Sequence, residues 1–302
     1  MTRARRSHPP ALRTLVARAL RTECQLLPRA RILVAVSGGG DSQALLHALA
    51  TLRDKDGFVL FCHGVDHGLR AEAAGELDLA EALARTLDVP FDRSLLRVSP
   101  GGNLMARARK ERYAALRAKA RARGAEVIAT AHHADDRAET VLLRLLRGAG
   151  PRGLAVLPVR DGDLCRPMLR ARRTDVQAHL ARHGLAFASD PSNRDPRFLR
   201  TRVRNELLPL LERLSPRVVE HLNLLADQLA EPPKLELSRP DGEPLTLGRA
   251  QVRALTEVMR TKNRRAEIWL PDGLSARYDP EQKTLSVGLR QRRGAANRRK
   301  SD

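Results

Sequence analysis

The sequence predicts an α/β protein: a doubly wound, mostly parallel sheet, then a helical extension and a small basic α+β domain. Three observations carry that expectation. Short, fully apolar, β-branched runs alternate with amphipathic stretches from Arg31 to Gly148, the rhythm of strand–helix units in an open sheet. The first of these runs ends in a glycine-rich turn that opens straight into a helix. After Gly148 the strands stop and helices follow one another, until short strands return around one helix beyond Glu231-Pro232-Pro233. The expected boundaries are residues 1–150 for the sheet domain, 151–230 for the extension and linker, 231–290 for the small domain and 291–302 for a basic, disordered tail.

The elements follow in order. Residues 1–10 read as a loose arm. Leu12, Leu15, Val16 and Leu20 keep helical spacing, so the Arg-rich, acid-poor N-terminus is expected to dock as a helix rather than act as a targeting segment. Residues 32–36 form the first strand, with a helix over 42–52. A strand at 58–65 and a helix over 71–87 come next, then a third apolar run at 89–98 and a long basic helix over 104–123. The fourth strand is 127–131 and its helix 136–146. The extension is expected to hold helices over 174–183, closed by Gly184, and over 198–211 and 216–230. A polar turn at 189–196 lies between the first two, and the last domain carries a helix over 247–260.

Composition narrows the partner. Of 302 residues, 55 are Lys or Arg against 35 Asp or Glu, a formal charge of +20, and all but a few of the cations are arginine. A preference for Arg codons explains Arg over Lys but not cations over acids. A polyanion is therefore expected, since guanidinium forks match phosphate geometry. The longest apolar runs are far too short to cross a bilayer, so no membrane association is expected. Three widely spaced cysteines, Cys24, Cys62 and Cys165, form no CxxC pair. That gives no support to a zinc ribbon, an iron–sulfur centre or a disulfide frame, and fits a reducing cytoplasm. Nothing in the sequence fixes the oligomeric state; a homodimer is compatible with it.

The turn after the first strand is Ser37-Gly38-Gly39-Gly40-Asp41-Ser42. Strand, glycine turn and helix N-terminus together make an anion site, because free backbone N–H groups converge there. The letters fit neither a Walker loop, which needs Lys before Ser or Thr, nor the dinucleotide fingerprint, since Gln43 stands where its last glycine belongs. An Asp in a phosphate loop makes sense with a divalent cation between carboxylate and phosphate, or as a plain helix cap.

This SGGGDS turn resembles the SGGxDS loop of the PP-loop ATP pyrophosphatases. That resemblance implies ATP bound by Ser37, Gly38, Gly39, Gly40, Asp41 and Ser42, cleavage between the α and β phosphates, and adenylation of an acceptor. Three further segments resemble the tRNA(Ile)-lysidine synthetase family: Val65-Asp66-His67-Gly68-Leu69-Arg70; the block from Ala131 to Gly148; and Asp190-Pro191-Ser192-Asn193 with Phe198 to Arg204 and Leu208-Pro209. The likeness runs from about Arg29 to Pro209. It implies ATP-dependent attachment of free lysine to the wobble cytidine of a CAU-anticodon isoleucine tRNA, with magnesium.

On that reading Asp41 is the candidate magnesium ligand. Asp136 is the favoured catalytic carboxylate, with Asp135 beside it, and His133 a phosphate contact or nucleotide-orienting group. Glu139 or its neighbours are expected to attract the cationic amino acid. Arg112 is expected to meet nucleotide or tRNA phosphates, Arg200, Arg202 and Arg204 to grip the tRNA backbone, and Arg264 and Arg265 to hold tRNA in the last domain. Met105, Arg137 and Thr201 depart from the family's usual Glu, Gln and Asn.

Overall fold

Strand β1 (Arg31–Val36) is the centre around which the rest is built. Its pleat sends Ile32, Val34 and Val36 into one buried cluster and Leu33 into another. Both faces are covered, so the run must be apolar throughout. In the computed structural model, which describes residues 11–66, 68, 73–96, 101–188, 195–230, 237–245, 247–261, 267–282 and 284–289, the sheet grows outward from this strand. β2 (Val59–Asp66) pairs parallel on one side, with β3 (Phe91–Leu95) beyond it. On the other side lie β4 (Val127–Ala129), then β6 (Leu164–Cys165), both parallel, and at the edge β5 (Arg160–Asp161), antiparallel to β6. The order is β3-β2-β1-β4-β6-β5. The chain thus works outward from β1 in one direction and later resumes on the opposite side at β4. Open sheets bind ligands where the direction of winding reverses, at the carboxyl ends of two such neighbours.

Helices cover both faces. α1 (Leu12–Thr22), α2 (Gly40–Asp56), α3 (Ala73–Thr86) and α7 (Arg173–His183) bury Val16, Leu45, Ala80 and Val176 in the cluster that takes Ile32 and Val34. α4 (Leu104–Arg123) covers the other face, where Leu116 packs with Leu33, Phe61 and Ile128. Each such fully buried Leu or Ile stabilises the fold by roughly 1.5–3 kcal/mol relative to exposure. α5 (Ala134–Leu145) follows β4, and α6 (Pro151–Leu154) is a single turn. α8 (Leu199–Arg202), a wide π-turn at Val203–Leu207, α9 (Leu208–Leu214) and α10 (Val218–Ala230) complete the first compact unit. They place Val203, Leu208 and Val219 against Ala134, Ala138 and Leu142 of α5.

Residues 231–302 form a second unit. It holds the ribbon β7 (Leu237–Ser238) and β8 (Pro244–Leu245), helix α11 (Arg249–Thr261), and an antiparallel sheet of β9 (Glu267–Trp269), β10 (Leu274–Asp279) and β11 (Thr284–Leu289). Leu245, Leu255, Leu270, Leu274 and Ala276 make its core.

Several elements differ from expectation. The helix expected over 42–52 runs from Gly40 to Asp56, because Gly40 and Asp41 join its first turn and Gly57, left-handed at φ 69°, ends it. The helix expected from 136 starts at Ala134, capped by His133. The π-turn breaks the helix expected over 198–211. The hairpin β5–β6 has no counterpart in the sequence pattern, because strands of two residues carry no readable period. His67, the Asp190–Asn193 segment, the 231–233 linker, Arg264, Arg265 and the tail lie outside the described residues. Among the described residues, no helix is long and apolar enough to cross a membrane.

Candidate active site

The phosphate loop folds from within. The Ser37 backbone N–H donates to Ser42 Oγ at 3.1 Å, and Ser42 Oγ–H donates to the Gly39 carbonyl at 2.8 Å, closing the turn over itself. Gly38 is needed twice over: its φ is +76°, and a Cβ there would lie 1.9 Å from the Glu76 carbonyl oxygen at the start of α3. The Ala188 N–H donates to the Gly38 carbonyl from the chain segment after α7. Asp41, in the first turn of α2, stands at the rim with its side chain about half exposed. The surrounding protein still strips enough water to push its carboxyl pKa up, against the pull of nearby His133.

Across the crevice, β4 ends at Ala129 and α5 begins. His133 caps α5 reciprocally with Asp136: the His133 N–H donates to Asp136 Oδ2 at 3.1 Å, and the Asp136 N–H donates to His133 Nδ1 at 3.4 Å. With Nδ1 accepting, the ring proton sits on Nε2. That buried nitrogen has no hydrogen-bond partner among the described residues; it lies 3.7 Å from Asp41 Oδ2 and 3.6 Å from Asp136 Oδ2. Ligand atoms of Asp41, His133 and Asp136 fall within 4.8 Å of one another. A protonated nitrogen does not ligate, so the donors for a cation are two carboxylates. Oxygen donors with water completing the shell suit magnesium, and the residues fit that ion.

The two neighbouring aspartates have different surroundings. Asp135 has both oxygens taken: Arg172 reaches it with Nε and with Nη2 at 3.0 Å, and the Arg173 N–H donates at 2.7 Å. Asp136 is the one turned toward Asp41. Burial pushes both carboxyls up, but the charges and bonds around them prevail, and each ends below the usual carboxylate range. For Asp136 the prevailing neighbours are His133, His132 and Arg200; for Asp135, Arg172 and the Arg173 N–H.

One turn further along α5, Glu139 is fully buried and held by three guanidinium groups. Arg173 Nη2 donates at 2.7 Å, Arg200 Nε at 3.0 Å, and Arg204 Nε and Nη2 at 2.7 and 2.9 Å. Arg200 also donates to Asp136 Oδ1 at 3.1 Å while keeping about half of its side chain in solvent. Arg202 points the other way and pairs with Glu206. Residues four apart share a helical face and residues two apart do not, so the 200/202/204 alternation divides between two surfaces.

The sequence reading missed Arg172 and Arg173. Their signal was the dense Arg170-Ala171-Arg172-Arg173 run just before a helix, beside a backbone bond from the Ala134 N–H to the Ala171 carbonyl that only the fold reveals. Arg112 sits on α4, its guanidinium 5.7 Å from the Tyr113 ring centroid, and burial lowers its pKa. No contact joins it directly to the carboxylates, though its charge reaches His132. Arg137 is fully buried and structural: Nε donates to the Val156 carbonyl and Nη1 to Asp227 at 2.6 Å. Thr201 is buried and Met105 exposed. Cys24 and Cys165 are brought together, thiol to thiol, yet both are fully buried, out of reach of any substrate in the crevice.

The PP-loop domain family matches residues 12–211. A tRNA(Ile)-lysidine synthase from Thermobifida fusca is 41% identical over 228 residues, covering 74% of this chain and 70% of that protein. The enzyme of the same name from Pseudomonas aeruginosa is 41% identical over 216 residues, 68% of this chain and 48% of its own length. The chain spans about half the length of that relative and of several others. A U34-tRNA thiolase from Methanococcus maripaludis shares the fold, with a TM-score of 0.63 at 16% identity over 78% of this chain and 90% of its own. With the glycine loop and the carboxylate cluster facing each other at the switch point, and with these matches, the chain belongs to the PP-loop family and, within it, to the tRNA(Ile)-lysidine synthases.

Proposed function

We propose that the chain ligates free lysine to C2 of the wobble cytidine of a CAU-anticodon isoleucine tRNA, consuming ATP with magnesium and releasing AMP and pyrophosphate. The observation that carries this reading is the approach of Asp41, in the phosphate loop, to the His133–Asp136 cap across the crevice between β1 and β4. Cytosine O2 attacks the α-phosphorus and pyrophosphate leaves. The lysine amine then attacks C2, gives up a proton, and AMP departs with the former O2.

The loop N–H groups and the His133 Nε2–H suit phosphate oxygens. Asp41 and Asp136 would hold magnesium, which when bound would supply charge neutralisation for the pyrophosphate leaving group. A carboxyl kept below its usual range, as Asp136 is, stays ionised near neutrality and can hold the ion or accept the proton. Glu139, with three guanidinium groups on it, positions Arg200 and Arg204. The solvent side of Arg200, with Arg112, Arg202, Arg264 and Arg265, meets nucleotide or tRNA phosphates. Three unpaired thiols and a tRNA substrate fit a cytoplasmic enzyme.

The test supplies ATP, magnesium, labelled lysine and the tRNA transcript. Alkali-stable label that requires the wobble cytidine is expected. No label, or label that alkali releases, overturns the reading. Asp41→Ala is expected to cut turnover at least ~100-fold, the scale of losing one transition-state stabiliser, with tRNA affinity unchanged. Neutralising Arg264 and Arg265 should raise the tRNA KM and flatten its salt dependence.

A further inference from the structure

Away from the carboxylates, three histidines meet between two helices. His47 lies in α2, less than two turns past Asp41. His179 and His183 are four apart on α7 and so share one face. His47 Nδ1 is 3.0 Å from His179 Nε2, and the three ring centroids are 4.4 to 5.0 Å apart. One nitrogen from each ring falls within 4.8 Å of the others. His179 is buried, His47 partly so, and His183 exposed, which leaves the group open to solvent on one side.

We propose that His47, His179 and His183 form a site for a divalent transition-metal ion of the zinc type, with water completing the shell. Three imidazoles are a donor set that zinc, cobalt and nickel accept and magnesium does not favour. A tetrahedral ion bound at about 2.0–2.1 Å needs its nitrogens roughly 3.4 Å apart. The His47–His179 pair already has about that spacing, and the exposed His183 closes the set by turning inward. The 3.0 Å approach of His47 Nδ1 and His179 Nε2 is bridged by one proton, which would move to the far nitrogen of its own ring when the ion binds. Arg182, the adjoining cation, opposes the ion and sets the affinity below that of a closed structural site.

The ion would clip α2, which begins in the phosphate loop, to α7, which begins at the arginines holding Asp135 and Glu139. The site stands independently of the activity proposed above.

Cobalt(II) titrated into the full chain provides the test, followed by its visible d–d absorption. Asp41→Ala serves as the background, because that change takes a ligand from the other cation-sized group, Asp41 with His133 and Asp136. A saturable band at one equivalent is expected. Adding His183→Gln, a change at an exposed position, should weaken binding by more than the roughly 10–100-fold that outer-shell changes cost. Zinc should raise the Tm of Asp41→Ala and leave that of the double variant unmoved. No saturable band, or one that His183→Gln leaves unchanged, overturns the site.

Discussion

The two lips of the crevice are built on opposite principles. The phosphate loop is six consecutive residues whose bonds run mostly to one another, Ser37 to Ser42 and Ser42 to Gly39. The opposite lip draws Asp135, Asp136 and Glu139 from α5, Arg172 and Arg173 from the start of α7, and Arg200 and Arg204 from around α8. A local turn keeps its geometry if its own residues are kept. A cluster gathered from three segments keeps its geometry only while every charge in it is balanced, because an unpaired buried ion is costly. The contrast predicts where single changes do most damage.

The largest effect is expected at Glu139. Glu139→Ala removes the carboxylate shared by Arg173, Arg200 and Arg204, takes the buried acceptor from the Arg173 guanidinium and leaves Arg200 and Arg204 crowded onto Asp136. A loss of about 3–5 kcal/mol is expected, the cost of breaking a buried ion pair from one side, read by urea unfolding. A loss below about 1 kcal/mol would mean that solvent reaches the clamp and that the cluster is not the brittle side.

Gly38→Ala probes the loop. Left-handed backbone alone costs a β-carbon-bearing residue about 1–2 kcal/mol, and the Glu76 carbonyl stands where the new methyl must go. The expected outcome is a ~10-fold or larger rise in the KM for ATP, the tenfold that 1.4 kcal/mol corresponds to, with global stability affected less than by Glu139→Ala. An unchanged KM would remove the loop from nucleotide binding.

The same contrast governs what could be read in advance. The SGGGDS turn, the apolar strand β1 and the helix α2 behind it are local, and their positions were legible to within a few residues. Asp135 and Asp136 were legible as a pair, and only the family resemblance favoured Asp136: which one faces Asp41 depends on Arg172, 37 positions from Asp135 in sequence. Glu139 was legible as a carboxylate near the site but not as the partner of three arginines, because nothing in α5 announces residues from elsewhere in the chain. The hairpin β5–β6 was invisible for another reason: two residues per strand carry no pattern, and their pairing with β4 is decided by the sheet already in place.

Arg200 and Arg202 sharpen the division within one short helix. Arg200→Ala removes donors from both Asp136 and Glu139 and should lower turnover. Arg202→Ala removes an exposed i,i+4 pair with Glu206, worth about 0.3–0.5 kcal/mol, and should leave stability and turnover at saturating tRNA nearly untouched. Equal effects of the two changes would mean that the helix presents both arginines to one surface.

The last effect, at His132, is absent at neutral pH and grows only as the pH falls. Its Nδ1 is 3.0 Å from Thr130 Oγ1, and burial, with Arg166, Arg109 and Arg112 adding to it and Asp136 opposing, pushes its pKa down to about 4. A histidine whose folded pKa lies below its unfolded value, about 6.5, takes up a proton more readily when the chain unfolds. Its neutral form therefore costs nothing above about pH 6.5, and stability drains as the pH falls from there toward 4. His63, His47 and His179 are lowered as well and act in the same direction, so the wild-type acid slope alone assigns nothing to His132. The difference does. His132→Asn keeps a polar partner for Thr130 but cannot take up the proton, so the fall in Tm between pH 7.5 and pH 5 should be smaller than in the parent chain. Identical slopes in the two proteins would mean that His132 is solvated well enough to titrate normally, and that water reaches the crevice floor beside the carboxylates.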